Sequence, residues 1–221
     1  LIKPFFSNTE NLSRYTIISK ESEYLIYTDS TFKDVSKILS YPKLKKHLDN
    51  FKEVITSDNR PYGLHRARKE SFFIGEKIVS VRKCQSPTFI FDNGNNYFSA
   101  AFYVIDSKRI NLKYLTGLLN SKLVKFWLKN KGKMQGNIYQ VDKAPILEIP
   151  LIKSKDKSNV TKISKLVDDI SLTIKNKTVA TTQKESEFLE HKITSLEGQI
   201  NNEVYKLYDI TPEEVAIIEQ S

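Results

Sequence analysis

Positive charge in this chain of 221 residues is concentrated in residues 60–150. That segment holds sixteen Lys and Arg against six Asp and Glu, a net charge of +10, whereas the whole chain carries +9. The remainder therefore sums to −1, and any fold has to present a strongly basic surface locally. A local positive field favours a phosphate-bearing partner, because Lys and Arg displace the counterions that phosphates hold.

The residue types between these charges narrow the choice of partner. Tyr, Phe, Gln and Asn are interleaved with the basic residues, and these side chains stack on bases or bond to base edges. The composition, 39% hydrophobic and 28% charged, is that of a folded protein. We therefore interpret the segment as part of a nucleic-acid recognition module.

Cysteine content and hydropathy restrict the cellular compartment in which the chain is expected. Cys84 is the single cysteine, which excludes an internal disulfide and fits a reducing cytoplasm. No apolar run is long enough to span a membrane, and no signal peptide is recognisable. The chain starts at Leu1 without Met, so we expect a fragment of a longer protein.

Residue patterns predict an α/β (α+β) fold with a mixed, mostly antiparallel sheet, flanking helices and a C-terminal helical hairpin. Strands are predicted at residues 77–82, 88–91 and 98–105, the last two joined as a hairpin through the Asn93-Gly94 turn. One apolar stripe predicts a single helix over residues 112–128. A basic glycine-bearing loop follows at 129–137, then short strands at 139–141 and 146–149.

The tail differs from the rest of the chain. Apolar residues at helical spacing predict one helix from Ile163 and a longer one from Phe188 onward. Thr211, Pro212 and Glu214 form the signature of a capped helix start. We therefore divide the chain into a DNA target-recognition domain, residues 1–152, and a C-terminal helical section, residues 153–221.

Catalytic motifs are absent from the sequence. Neither the glycine-rich turn nor the Asn/Asp-Pro-Pro-aromatic motif of an adenine methyltransferase occurs. Glu190-His191-Lys192 matches the last element of a metal-dependent nuclease by letters only, since it lies in a predicted helix. The three histidines lack metal-ligand spacing. We therefore predict a binding module with no catalytic, cofactor-binding or metal-binding residue of its own.

Two basic stretches are candidate DNA-contacting surfaces. Residues 60–68 combine Arg and His in a turn-rich sequence, and Arg bonds bidentately to phosphate or guanine. Residues 129–140 combine Lys with Gln, Asn and two glycines that allow close backbone approach. Any single Arg of the first stretch is equally compatible with a solvated basic loop, and the second stretch with a flexible basic helix end. The cluster of residues 60–68 and the presence of two such stretches favour DNA contact. The predicted DNA-contacting residues are Arg60, Tyr62, His65, Arg66, Arg68, Arg82, Lys83, Lys131, Lys133, Gln135, Asn137 and Gln140.

The order of these signals resembles the C-terminal specificity domain of TaqI-like adenine DNA methyltransferases and of the fused type IIG restriction-modification enzymes. The resemblance is carried by YGLHRAR at 62–68, KIVSVR at 77–82 and YLTGLLNSK at 114–122. Leu-Leu-Asn-Ser at 118–121 and Val-Tyr-Lys-Leu-Tyr at 204–208 are its most specific parts. The chain has RPYG at 60–63 where the family often has Trp-Tyr-Glu-Leu.

This resemblance implies that catalysis and DNA recognition lie in separate domains. In the family, an upstream domain binds S-adenosylmethionine and methylates a flipped adenine, while the C-terminal domain binds the duplex and reads the site. The implied partners are double-stranded DNA and the upstream methyltransferase domain, with Mg²⁺ as a further parent cofactor where the parent also cuts DNA.

Three other readings stay open from the sequence. The chain is compatible with a type I specificity subunit, whose recognition domains alternate with long helices. It is also compatible with a fragment carrying an atypical Mg²⁺-dependent nuclease centre, or with an RNA-binding module that stacks single strands on exposed aromatic residues.

Overall fold

The computed structural model describes residues 1–19, 23–55, 57–154 and 156–221. Within these ranges the strands are β1 (Ile2–Phe6), β2 (Leu12–Ser13), β3 (Thr16–Ile17), β4 (Glu23–Ile26), β5 (Lys77–Val81), β6 (Lys83–Cys84), β7 (Phe89–Asp92), β8 (Tyr97–Phe98), β9 (Phe102–Ile105), β10 (Lys133–Gln135) and β11 (Ile138–Gln140). The α-helices are α1 (Val35–Leu39), α2 (Pro42–Asp49), α3 (Leu112–Leu119), α4 (Lys122–Lys131), α5 (Lys143–Glu148), α6 (Lys157–Thr178), α7 (Gln183–Leu207) and α8 (Pro212–Glu219).

The predicted mixed α/β fold with mostly antiparallel strands is confirmed, although the described strands form four small sheets instead of one. Their orders are β4-β1-β8, β10-β11-β6, β2-β3 and β7-β5-β9. The strand pairs are antiparallel except β1 with β8. The predicted C-terminal helical hairpin is also present, as α6 and α7.

The predicted hairpin between residues 88–91 and 98–105 is wrong. β5 lies between β7 and β9 and pairs antiparallel with both, and all five of its residues are buried. A buried ion pair closes the turn after β7, with Lys77 Nζ 2.7 Å from Asp92 Oδ2 and 2.6 Å from the Gly94 carbonyl. The turn residues therefore wrap around the start of β5 and do not connect two paired strands.

The single helix predicted over residues 112–128 is two helices. The Asn120 side chain donates to the Phe89 carbonyl at 2.7 Å and accepts from the Phe89 amide at 3.1 Å, so it pairs with β7 as a strand would. Ser121 then caps α4 by accepting from the Val124 amide. The apolar stripe continues across this break, which explains why the periodicity conceals it.

Two further predictions between residues 129 and 149 are wrong. The basic loop is a β-hairpin, β10–β11, whose turn contains Gly136 at a φ of +58°. Residues 146–149, predicted as a strand, are instead the second half of α5 and its C-terminal cap residue Ile149. Pro145 lies in the first turn of that helix, where a missing N–H is tolerated, and Ile146 and Ile149 face the core at helical spacing.

The helical hairpin shares a core with the sheet region. Tyr114 and Leu118 of α3 pack with Ile163, Val167 and other apolar residues of α6 and α7. Gly117 allows this approach, because a Cβ there would lie 2.5 Å from Ile163 Cγ2. The division into residues 1–152 and 153–221 stays a prediction.

Candidate nucleic-acid interface

A cleft of about 800 Å³ opens beside the β7-β5-β9 sheet. Its floor is aromatic and its rim is basic. Four of the predicted residues, His65, Arg66, Arg68 and Arg82, line it together with Lys143 at the start of α5. The fold thus brings together residues that the sequence separates by more than seventy positions.

The main chain fixes the loop that carries three of these side chains. The Leu64 amide donates to the Thr28 carbonyl at 2.8 Å, and Tyr27 Oη donates to the Arg68 carbonyl. Between these tethers Arg66 adopts a positive φ of 54°, uncommon for a residue other than Gly. The backbone is therefore held while the His65, Arg66 and Arg68 side chains stay exposed.

Arg82 connects the cleft to the β10–β11 hairpin. Its guanidinium donates to the Ala100 carbonyl at 3.1 Å, lies 3.5 Å from Asp142 Oδ1, and stacks over Tyr103 with 4.8 Å to the ring centroid. Its carbonyl accepts from the Val141 amide at 2.8 Å, directly after β11. Arg82 is thus pre-positioned, and its place couples the two basic stretches.

The β10-β11-β6 sheet has two unlike faces. Its inner face carries Met134, Tyr139 and Cys84, which pack on the core around α3 and α4. Burial raises the pKa of the Cys84 thiol to about 11, so this cysteine is a neutral packing residue at physiological pH. Strand alternation puts the other residues on the outer face, which carries Lys83, Lys133, Gln135, Ile138 and Gln140.

A family comparison identifies the domain that bears these two surfaces. The model of the TaqI-like C-terminal specificity domain matches residues 6–151. The chain belongs to this family. The resemblance drawn from its motifs is therefore confirmed, as is its assignment to restriction-modification proteins.

Individual proteins resemble a part or nearly the whole of this chain. The type II methyltransferases M.HincII and M.HindII, both from Haemophilus influenzae, are 36% identical over 50 residues, or 23% of this chain. The match covers 10% of each of those proteins, so the chain corresponds to a small part of them. The fold resembles that of the type IIL restriction-modification enzyme MmeI, solved in complex with DNA, with a TM-score of 0.65 and 16% identity. That likeness covers 99% of this chain and 30% of MmeI.

The remaining predicted residues of the specificity domain lie in different settings. Lys131 is exposed at the end of α4, and Asn137 is exposed at the turn of the β10–β11 hairpin. Arg60 is exposed before the cleft loop but is not one of the cleft-lining residues. Tyr62 is 4% exposed, packs with Phe32 and Ile38, and donates to Asp49 at 2.7 Å. Tyr62 therefore supports the loop from inside the fold.

Sequence reasoning missed three cleft residues. Lys143 lies between the strands predicted at residues 139–141 and 146–149, where no helix is predicted, although Asp142 and Pro145 mark a helix start. Phe72, 46% exposed, and Tyr103 also line the cleft. An isolated aromatic residue carries no sequence signal for exposure, so the structure was needed to find both.

Most cations on or near the two surfaces lack an acidic partner. Among the described residues, no carboxylate lies within 4.0 Å of Arg60, Arg66, Arg68, Lys83, Lys131, Lys133 or Lys143. Glu70 is the nearest acid in sequence to the cleft loop. Hydrogen bonds from Lys3 and Tyr97 lower its pKa, and Lys3 at 2.6 Å balances its charge. Apart from Arg82, which lies 3.5 Å from Asp142 Oδ1, the cations of the cleft rim are therefore not neutralised by a described carboxylate.

The part of the chain that the structure describes includes the nuclease-like triplet and all three histidines. It contains no cluster of three or more His, Cys, Asp or Glu residues able to hold a metal ion. Glu190, the acid of the nuclease-like triplet, pairs with Lys177 on the surface of the helical hairpin at 2.6 Å. None of the described helices is long and apolar enough to cross a membrane.

Proposed function

We propose that this chain is the sequence-specific double-stranded DNA recognition module of a restriction-modification adenine methyltransferase. In this role it positions the target adenine for a catalytic domain supplied by the parent protein. The observation that carries the proposal is the set of exposed, acid-free cations along the cleft and the β10-β11-β6 sheet, in a chain of the specificity-domain family. The DNA complex of MmeI supports the choice of DNA as partner.

The cleft and the outer face of the β10-β11-β6 sheet suit two different parts of DNA recognition. Arg66, Arg68 and Lys143 surround a wide cleft and can neutralise backbone phosphates, which fixes the register of the duplex. The outer face of the β10-β11-β6 sheet offers amide groups suited to base edges. Flipping an adenine costs a few kcal/mol, so a firm grip on flanking nucleotides has to offset that cost.

The methyl transfer itself is assigned to the parent. S-adenosylmethionine is held by the upstream methyltransferase domain in this proposal, and Mg²⁺ enters only where the parent also cleaves DNA. This chain supplies no step of either reaction. The role places the protein in the cytoplasm, where it meets the DNA of the cell.

A salt titration tests the proposal. Binding to random duplex DNA is measured by fluorescence anisotropy between 50 and about 200 mM salt, where several phosphate contacts give a steep loss of affinity. We expect Arg66→Ala, Arg68→Ala and Lys131→Ala each to weaken binding and to reduce the log–log salt slope by about 0.9. Lys165→Ala and Lys192→Ala are matched controls, since both lysines are exposed on the helical hairpin.

The outcome separates the remaining readings. If the three test variants and the helical-hairpin controls lose affinity equally, the proposed surface does not contribute specifically to DNA binding. A clear preference for single strands over the matched duplex would favour RNA recognition.

A further inference from the structure

The outer face of the β10-β11-β6 sheet carries a preformed pair of amides. Gln135 lies opposite Ile138 and Gln140 lies opposite Lys133, so the two glutamines are diagonal neighbours on one face of the hairpin. Gln140 Nε2 donates to Gln135 Oε1 at 2.9 Å. Gln135 is exposed and Gln140 is half-buried, so both are accessible to solvent.

The bond between the amides determines what the pair has left to offer. Each amide has one NH₂ donor group and one carbonyl acceptor. The contact uses one of the two N–H groups of one amide and one of the two lone pairs of the other carbonyl, so the accepting side chain keeps a complete NH₂ and the donating side chain keeps a complete C=O. This holds whichever glutamine donates. The pair is therefore a donor and an acceptor, held side by side.

That pattern matches one base in the major groove. Adenine presents the N7 acceptor and the N6 donor, whereas guanine presents two acceptors, cytosine one donor, and thymine one acceptor beside a methyl group. We infer that Gln135 and Gln140 together read an adenine of the recognised duplex through N7 and N6. The inference deepens the proposed function and rests on it.

The surroundings of the pair fit a groove-reading element. A two-stranded ribbon can enter the major groove, which is about 12 Å wide. Tyr139 and Met134 anchor the inner face of the ribbon in the core, so its position is fixed. Lys83 and Lys133 lie on the same outer face, beside and opposite Gln140, where they can meet the phosphates that border the groove.

Site selection from a random duplex library, followed by competition with every single base-pair change, tests this inference. We expect the wild-type chain to require A·T at one position by about tenfold or more. Gln135→Leu and Gln140→Leu should each abolish the preference at that position and keep the others. Gln199→Leu, an exposed glutamine of α7, is the matched control and should change nothing. Circular dichroism melting verifies that each variant stays folded.

Replacement of the selected adenine by 7-deazaadenine gives an atomic test, because it removes only the N7 acceptor. The wild-type chain should lose about tenfold in affinity on this substrate, whereas the two Leu variants should bind modified and unmodified duplex equally. A general structural role of the glutamines would not produce this pairing between one side chain and one base atom.

The possible failures are distinguishable. If the wild-type chain binds no duplex, the proposed function and this inference both fall. If it selects a site and the Leu variants select the same site with unchanged preferences, only the inference falls. It falls as well if the variants alter a position at which the wild-type chain requires a G·C pair.

Discussion

Two regions of the molecule use charge in opposite ways. Residues 60–150 carry +10, while residues 151–221 contain ten Lys and twelve Asp or Glu, a net of −2, and no Arg. In the helical hairpin three of the eight lysines of α6 and α7 contact acids: Lys162 and Lys206 contact Glu203, and Lys177 contacts Glu190. On the cleft and the β10-β11-β6 sheet most cations face solvent without such partners. Net charge and arginine content, more than pairing, separate the helical hairpin from the basic surfaces.

Arginine usage sharpens this contrast. Five of the six arginines lie within residues 60–150. The planar guanidinium bonds bidentately to phosphates and guanines, whereas an ammonium acts as a point charge. The exception, Arg14, is paired with Glu197 at 3.0 Å and joins the sheet region to the helical hairpin. Arg14 therefore serves in a structural ion pair.

Lys77 is the strongest test of this comparison, because it is a paired cation within the basic segment. Lys77 and Asp92 have only 1% and 4% of their side chains exposed. Lys77→Ala should lower the free energy of unfolding by about 3–5 kcal/mol, since it leaves Asp92 buried without its partner. Arg66→Ala should change it by less than about 0.5 kcal/mol. Urea denaturation of both variants measures the difference, and equal stability of the two would refute the distinction between paired and unpaired cations.

Two helical glycines test whether the hairpin belongs to the scaffold. Gly117→Ala should destabilise the protein by about 1–3 kcal/mol, because the new methyl group would meet Ile163 at the contact between α3 and α6. Gly198→Ala in α7 meets no atom within 4 Å and should stabilise by about 0.5–1 kcal/mol through helix propensity. Thermal melting of the pair supplies the readout. A neutral effect at Gly117 would mean that the helical hairpin can shift away from α3 without cost.

These elements and side chains differ in how well they can be predicted from the sequence. Periodicity located the helical hairpin, and the capping box at Thr211 and Glu214 formed as predicted, because both depend on residues close in sequence. The break at Asn120 depends on a contact across 31 positions, and the order β7-β5-β9 depends on pairings across 9 to 27 positions, which no local pattern encodes. Composition found the basic stretches, but only the fold could show that Arg82 connects them and that Tyr62 is buried.

The pH dependence of stability gives the smallest expected effect and tests the ion pairs of the helical hairpin. Hydrogen bonds from Lys162, with a second contribution from Lys206, lower the pKa of Glu203. A carboxyl whose pKa is lower in the folded state stabilises the protein above its unfolded pKa, and this contribution is lost as pH falls through the folded pKa. Stability should therefore decrease below about pH 4.5, and Glu203→Gln should flatten that part of the profile. Urea midpoints between about pH 3 and 6 measure the change. An identical profile in the variant would show that the ion pairs of the helical hairpin add nothing to stability, and would leave packing on α3 as the force that holds it.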